Sequence, residues 1–365
     1  MLTRPDQTEA APIVGIGAID CDVHTRLPRQ GDLMPFLDKY WQDMFPYRDI
    51  DLMELMSYPV STAPFTRGGA AGPGKGGVED AATLKRDLLD PLGLGAAVLN
   101  VVNGIQAIFD PYLQTVLCQA TNRWLASEWL DRDDRLRASL LVPFRNVEAA
   151  VKEIEAYAGD KRFVQILALA QGEGLLGQRQ FWPIWEAAAK HGFALQIHAG
   201  SAYRQAPTQN GFPSYLAEEI ALWPQGFATQ VASLLAEGVM TEFADMKIVA
   251  AESGVSWLFG MTWRVAKDWR GARVEVPWVK ESPEEIITRQ LRLTTQPFDV
   301  PGHDPEDIEA VIDCLGSADN LLWASDYPHA YPGAPGAWPA GLSTELAGAI
   351  ARDNARATYS RLEVK

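Results

Sequence analysis

The hydrophobic positions along the chain gather into eight short, nearly continuous runs: residues 13–20, 96–102, 136–143, 163–169, 193–198, 247–251, 291–295 and 321–325. Runs that are apolar throughout, rather than alternating, mark strands buried on both faces, as in a parallel sheet. The stretches between them carry helical periodicity. Val147, Ala150, Val151, Ile154 and Ala158 recur at helical spacing, and so do Ile308, Val311, Ile312 and Leu315, behind an Asp304 cap with Pro305 at the first helical position. A third pattern over 183–190 runs into His191-Gly192, a C-terminal stop. Eight strand–helix units predict an α/β fold, a (β/α)8 TIM barrel, as one domain over 1–365. The rival is a doubly wound open sheet. That fold calls for a glycine fingerprint after its first strand, and here Cys21-Asp22-Val23-His24 stands instead.

Two long insertions follow predicted strands, which puts them on the carboxyl-terminal face of a barrel. Residues 25–78 hold Phe36, Tyr40, Trp41, Phe45 and Tyr47, then a glycine- and proline-rich tract. This insertion is expected to close over the mouth as a lid. Because aromatics are enriched at interface cores, it also predicts an oligomer, either of this chain alone or with a related barrel subunit. Within the tract, Gly69 to Lys75 copies the spacing of a phosphate loop. Gly76 replaces the required Ser or Thr, Pro73 interrupts it and no strand precedes it, so it reads as a surface loop. The second insertion, 201–223, holds Tyr203 and Arg204, read as a solvated loop that could otherwise meet a substrate carboxylate.

Composition narrows the partners. Of 365 residues, 47% are hydrophobic, enough for a packed core and too many for a disordered chain. A net charge of −15 repels phosphate backbones and anionic lipid, so nucleic acid and membrane surfaces are excluded as expected partners. Cys21, Cys118 and Cys314 are an odd count with no close spacing, which is no disulfide framework. The amino terminus lacks a signal sequence, and no stretch approaches the roughly 20 apolar residues of a membrane span. The expectation is a soluble, reduced, cytoplasmic protein acting on a small molecule.

The chemistry lies at the strand ends. Of five histidines, His24, His198 and His329 sit at or just beyond predicted strand termini, with Asp22, Glu252 and Asp326 beside them; His191 and His303 fall at a helix end and in a loop. Residues two apart on a strand face the same side, so Asp22 and His24 can both point to the barrel axis. Packing alone has no reason to gather acids and imidazoles at one mouth, and the set reads as a metal site. Imidazole plus carboxylate suits zinc, iron or manganese better than calcium or magnesium.

These residues resemble the amidohydrolase superfamily, in the branch typified by aminocarboxymuconate-semialdehyde decarboxylase, over essentially the whole chain. The resemblance is carried by Asp20-Cys-Asp-Val-His24, Ile197-His198, Glu252-Ser-Gly254 and Ser325-Asp-Tyr-Pro-His329. One subgroup also shares Trp182-Pro-Ile-Trp185, Thr294-Thr-Gln-Pro297 and Asn354-Ala-Arg356. The resemblance implies a barrel with a divalent metal at the strand ends. Asp22 and His24 then occupy the family's His-x-His pair, His198 the ligand position after the fifth strand, and Asp326 the aspartate after the eighth. Glu252 stands where many members have a histidine serving as base or ligand. Hydrolysis or decarboxylation of a small carboxylate or amide-type substrate is implied, with Glu252 or Asp326 moving the proton.

With His329 added, three imidazoles and three carboxylates are enough for two ions. The resemblance extends to dinuclear oxygenases such as an α-aminoisobutyrate hydroxylase built from two related barrels. One ion implies zinc; a pair implies iron or manganese. Ala330-Tyr331 after the last histidine departs from the subgroup's usual Trp-Asp, which leaves a third reading, a non-catalytic partner subunit. Two weaker features are read as structural. Trp257, Phe259, Trp263 and Trp269 are expected to pack a helix on the barrel, Trp257 alone being placed to line a pocket. The charged run 131–137 is expected to be a solvated connection.

Overall fold

The computed structural model describes residues 15–48, 77–102, 104–202, 205–299, 305–329 and 342–363. Its eight strands are β1 (Ile19–His24), β2 (Ala96–Asn100), β3 (Leu136–Leu141), β4 (Phe163–Gln171), β5 (Ala194–Ser201), β6 (Ile248–Ala251), β7 (Leu291–Thr294) and β8 (Leu321–Leu322). Each pairs in parallel with the next in sequence. The ring closes where Cys21 N–H donates to Trp323 O (3.1 Å), Asp326 N–H to Asp22 O (3.1 Å) and His24 N–H to Tyr327 O (2.8 Å). Sequential strand order with closure is the predicted (β/α)8 TIM barrel and rules out the doubly wound sheet.

The helices on the outside follow local rules. Asp110 accepts from the N–H groups of Tyr112 and Leu113 to start Pro111–Leu125, and Asn146 accepts from Ala149 N–H to start Val147–Ala156. Trp182–His191 ends on Gly192 at φ +72°, the expected glycine stop. Pro305–Leu315 is helical as predicted; its Asp304 cap lies outside the described residues.

Strand boundaries differ from the hydrophobic runs at two places. The first run was expected from residue 13, but the strand begins at Ile19, because Gly15 (φ +78°) and Gly17 (φ +68°) turn the chain in a region that glycine enters at little cost. The last run spans five residues, but β8 has two. There Ala324 N–H donates to Thr295 Oγ1 and Ser325 N–H to Asp20 Oδ1, so side chains take bonds a strand neighbour would otherwise accept. The run 131–137 also differs. Asp131, Asp133 and Arg135 form surface ion pairs, but Arg137 is buried and donates to the carbonyls of Asp134, Leu136 and Glu363.

Two apolar layers hold the barrel. Leu99, Leu140, Ile166, Ile197 and Leu293 face the helices, against Trp124, Trp129 and Trp185. Ile19, Cys21, Val98, Val164, Val249 and Leu322 fill the floor with Tyr359. The subgroup-like motifs close loops. Trp182 and Trp185 donate from Nε1 to Gly177 O and Leu176 O, and Asn354 Nδ2 donates to Ala318 O and Leu321 O. The aromatic crowd on Ser256–Ala272 packs on the core as expected, except Trp263, which is exposed. Both ends of the 25–78 insertion are tied beside His24, since Val78 N–H donates to His24 O and Arg26 N–H to Val78 O. Phe45 is buried, whereas Tyr40 and Tyr47 are exposed. Most of the glycine tract, Tyr203, Arg204, His303 and the Ala330-Tyr331 departure lie outside the described residues.

Candidate metal centre

Six side chains meet at the carboxyl-terminal mouth. Asp22 and His24 come from β1, His198 from β5, Glu252 directly follows β6, and Asp326 and His329 follow β8. The slip in β1–β2 register between Asp20 and Val23 leaves Asp22 and His24 on the same side. His24 Nε2 lies 2.9 Å from Asp326 Oδ1, 3.1 Å from Glu252 Oε1 and 3.6 Å from Asp22 Oδ1. His198 Nε2 lies 3.5 Å from Asp22 Oδ2 and 3.7 Å from Glu252 Oε1. His329 Nδ1 lies 2.8 Å from Asp326 Oδ1 and 3.5 Å from Glu252 Oε1. These atoms form two overlapping groups of four, one with Asp22 and His198, the other with Asp326 and His329, sharing His24 and Glu252. Within each group the donor atoms lie within 4.8 Å of one another. The other described histidine, His191, pairs with Glu155 at a helix end.

The backbone is bent to deliver two of these groups. Glu252 (φ +56°) and Asp326 (φ +53°) are the two non-glycine residues in the left-handed region among those described. That conformation costs roughly 1–2 kcal/mol each and concentrates at functional sites. Thr294 Oγ1 accepts from Glu252 N–H at 3.1 Å. Gly254 (φ +67°) completes the turn; a Cβ there would meet the Asp299 carboxylate, which caps the following helix.

Charge inside this pocket is mutually supported. Burial alone would raise Glu252, but His198, His24 and His329 outweigh it and hold the carboxylate well below its usual range. Burial and the Glu252 charge push Asp326 up. Burial would lower His329, yet Asp326 and Glu252 lift it to about 10. Against burial, His24 is raised by Asp22, Asp326 and Glu252, and His198 by Glu252 and Asp22.

A cation would complete the arrangement. Asp22 Oδ2, His198 Nε2 and Asp326 Oδ2 are buried and take no hydrogen bond. Leaving a buried polar atom unpartnered costs roughly 1–3 kcal/mol, and two of them, Asp22 Oδ2 and His198 Nε2, stand 3.5 Å apart. His198 donates from Nδ1 to Ala199 O (2.8 Å). That bond fixes the tautomer with a bare Nε2 toward the centre, the usual second support of a metal-binding imidazole. The residues therefore fit a divalent cation.

The family's sequence profile, described as amidohydrolase, matches residues 19–361. The chain belongs to the amidohydrolase family. It is 25% identical to the gamma-resorcylate decarboxylase of Rhizobium sp. (strain MTP-10005) over 253 residues, covering 66% of this chain and 75% of that one. Its fold is similar to the 5-carboxyvanillate decarboxylase of Sphingomonas paucimobilis, with a TM-score of 0.70, 19% identity, and 95% and 99% of the two chains covered. A dihydroxybenzoic acid decarboxylase from Polaromonas sp. JS666, solved with bound manganese and 2-nitroresorcinol, matches with a TM-score of 0.65, 18% identity, and 94% and 97% coverage. Among the described residues, no helix is long and apolar enough to cross a membrane.

Sequence reading named all six residues that converge. It missed the polar groups beneath them: Asp20, Asn100, Ser139, Gln165 and Gln196, all fully buried. Their signal was a single polar residue inside an apolar run, such as Gln165 in FVQIL or Gln196 in ALQIH.

Proposed function

We propose that this amidohydrolase-family enzyme is a metal-dependent decarboxylase of a small aromatic carboxylate. The observation that carries the reading is the convergence of Asp22, His24, His198, Glu252, Asp326 and His329 in two overlapping groups, three of whose buried atoms have no hydrogen-bond partner; the decarboxylase relatives supply the reaction class. Asp22, His24, His198 and Glu252 would hold one divalent cation. When bound, the cation supplies a Lewis acid that polarises a substrate oxygen. Loss of carbon dioxide leaves an electron pair on carbon that must take up a proton. Asp326 suits that step, because burial and Glu252 raise its affinity for a proton, and His329 at 2.8 Å links it to the more open side of the pocket. Glu252 is held ionised, which suits a ligand. Hydrolysis of an amide-type substrate would use the same groups.

The test is metal analysis of protein from unsupplemented cells, together with carbon dioxide release from hydroxylated benzoates. A near-stoichiometric transition metal and release that Glu252→Gln abolishes along with the metal support the reading. Absence of metal, or no release from any carboxylate in the series, overturns it. If Glu252 is a base alone, the glutamine variant keeps its metal and loses turnover.

One observation favours a second reading. His24 and Glu252 are shared between two four-residue groups, which is room for an iron or manganese pair and oxidative chemistry, where a single ion would favour zinc or manganese. Two metal equivalents and substrate-dependent oxygen uptake identify it. Co-purification with a second barrel chain, without activity alone, identifies the partner-subunit reading. We further infer a single barrel domain that assembles through the aromatic 25–78 insertion and resides in the cytoplasm, where Cys21, Cys118 and Cys314 are free thiols. Light scattering at micromolar concentration tests the assembly, and a monomer refutes it.

A further inference from the structure

Directly beneath the mouth, the barrel interior is crossed by a chain of amides and a hydroxyl. Asn100, the last residue of β2, donates from Nδ2 to Asp22 Oδ1 at 2.6 Å. Ser139 Oγ on β3 donates to Asn100 Oδ1. Gln165 Nε2 on β4 donates to Ser139 Oγ at 2.9 Å, and Gln196 Oε1 on β5 lies 3.1 Å from the same hydroxyl. All four residues are fully buried. Gln196 is two residues before His198, so the chain ends on the strand that supplies the imidazole facing Asp22.

We infer that Asn100 is a positioning residue that commits Asp22 to a metal ion through Oδ2 alone. This rests on the metal reading of the site above. The two carboxylate oxygens of Asp22 are treated differently. Oδ1 is taken by the Asn100 amide. Oδ2 has no hydrogen bond, is buried, and stands 3.5 Å from the bare His198 Nε2. The Asn100 bond holds the plane of the carboxylate and occupies Oδ1, which leaves Oδ2 as the oxygen presented to an ion. The pin is itself held, because Asn100 Oδ1 is engaged by Ser139 and Ser139 by Gln165, which leaves the amide one orientation. Asparagine is the residue type this requires. An apolar side chain would leave Oδ1 unpartnered, and an aspartate would set a like charge 2–3 Å from Asp22, a distance at about which two carboxylates cannot both stay ionised. Outer partners of metal ligands typically change affinity by about 10–100-fold when removed.

The test titrates the metal-free protein with Mn2+ up to millimolar concentration, following loss of the free-ion electron paramagnetic resonance signal. Asn100→Ala should weaken Mn2+ binding by about 10–100-fold. The same substitution in an Asp22→Ala background should cost nothing further, whereas in a Thr294→Val background, which keeps every ligand, it should cost its full amount. A merely structural asparagine would weaken binding equally in both backgrounds, and that result overturns the inference. So does binding by Asn100→Ala within twofold of the parent while His198→Ala loses its metal; the metal reading then stands without Asn100. A parent that binds no Mn2+, zinc or iron sinks both. Should Asn100→Ala not fold, Ser139→Ala keeps the amide and frees its carbonyl. It should weaken Mn2+ binding several-fold, and unchanged binding in it overturns the inference equally.

Discussion

The two ends of the barrel bury charge in opposite ways. At the amino-terminal end, Arg361 is 1% exposed, and its five donors reach five backbone carbonyls: Tyr157, Ala158, Asp160, Phe163 and His191. Its guanidinium lies 3.8 Å from the Phe193 ring centroid. Every donor a guanidinium owns is used, and nothing is left over for a ligand. At the carboxyl-terminal mouth, three acids and three imidazoles crowd together, and Asp22 Oδ2, His198 Nε2 and Asp326 Oδ2 still lack partners. Unpartnered buried atoms occur elsewhere too, on Asp20, Gln165, Gln196 and Arg292 among others, so it is the grouping of bare carboxylate and imidazole atoms at one mouth that points to something that binds. The contrast is more informative than either burial or charge taken alone.

The largest effects should separate the ends by what they lose. His198→Ala removes a bare ligand atom and should strip at least one metal equivalent and nearly all turnover, while the metal-free protein loses only about 1–3 kcal/mol for the stranded Ala199 carbonyl. Elemental analysis and calorimetry measure both. Full metal in that variant would move His198 out of the site. Arg361→Ala should do the reverse. It strands five carbonyls and should cost about 3–5 kcal/mol of stability with metal stoichiometry unchanged. Arg361→Lys should recover only part, since an ammonium offers three donors. Loss of metal in Arg361→Ala at a temperature where it stays folded would erase the distinction.

The sequence exposed these ends unequally. The mouth was legible because acids and histidines are rare inside apolar runs, and each of the six sits on a strand or shortly after one. The strand count and order were legible for the same reason of patterning. Arg361 was not, because an arginine near a chain end reads as solvated, and only the fold brings the loops after 156 and 191 around it. Asn100, Ser139 and Gln165 were missed because an isolated polar residue in a buried strand does not say which of its neighbours it meets. The two-residue β8 was overestimated, since its apolar run continues past the point where Thr295 and Asp20 side chains replace the sheet bonds.

The pH response sharpens the comparison at intermediate size. In the metal-free protein His329 is held at about 10 against an ordinary 6.5. Burial alone would lower it, and Asp326 and Glu252 overcome that. A group whose pKa is raised by folding stabilises fully below its unfolded value, and that contribution disappears as pH climbs through its folded value. In chelator, melting temperature should therefore fall between pH 6.5 and about 10, and His329→Gln should flatten the fall. Arg361 stays protonated across this window, so Arg361→Met, which brings no titrating group, should shift the curve down without changing its slope. Parallel curves for His329→Gln and the parent would remove His329 from the balance.

The smallest effect lies where saturation and bareness meet. Thr294 is fully buried on β7, and its hydroxyl accepts from Glu252 N–H at 3.1 Å while donating to Gln296 O. It is a satisfied group whose work is to hold a strained one, since Glu252 sits at φ +56°. Thr294→Val keeps the shape and removes the acceptor. The Glu252 N–H then loses its partner, at a cost of about 1–2 kcal/mol. Some of that cost can be relieved if the backbone at 252 relaxes out of the left-handed region, which would swing the carboxylate away from His24 and His198. Stability and metal affinity should then fall together, affinity by less than about tenfold, since an indirect support typically weakens a site less than a ligand does. Thr294→Ser, which keeps the hydroxyl, should restore both. A loss of stability in Thr294→Val with metal affinity and turnover untouched would mean that the strain at Glu252 is fixed by the turn through Gly254 alone, and that Thr294 belongs with Arg361 among the groups that serve only the fold.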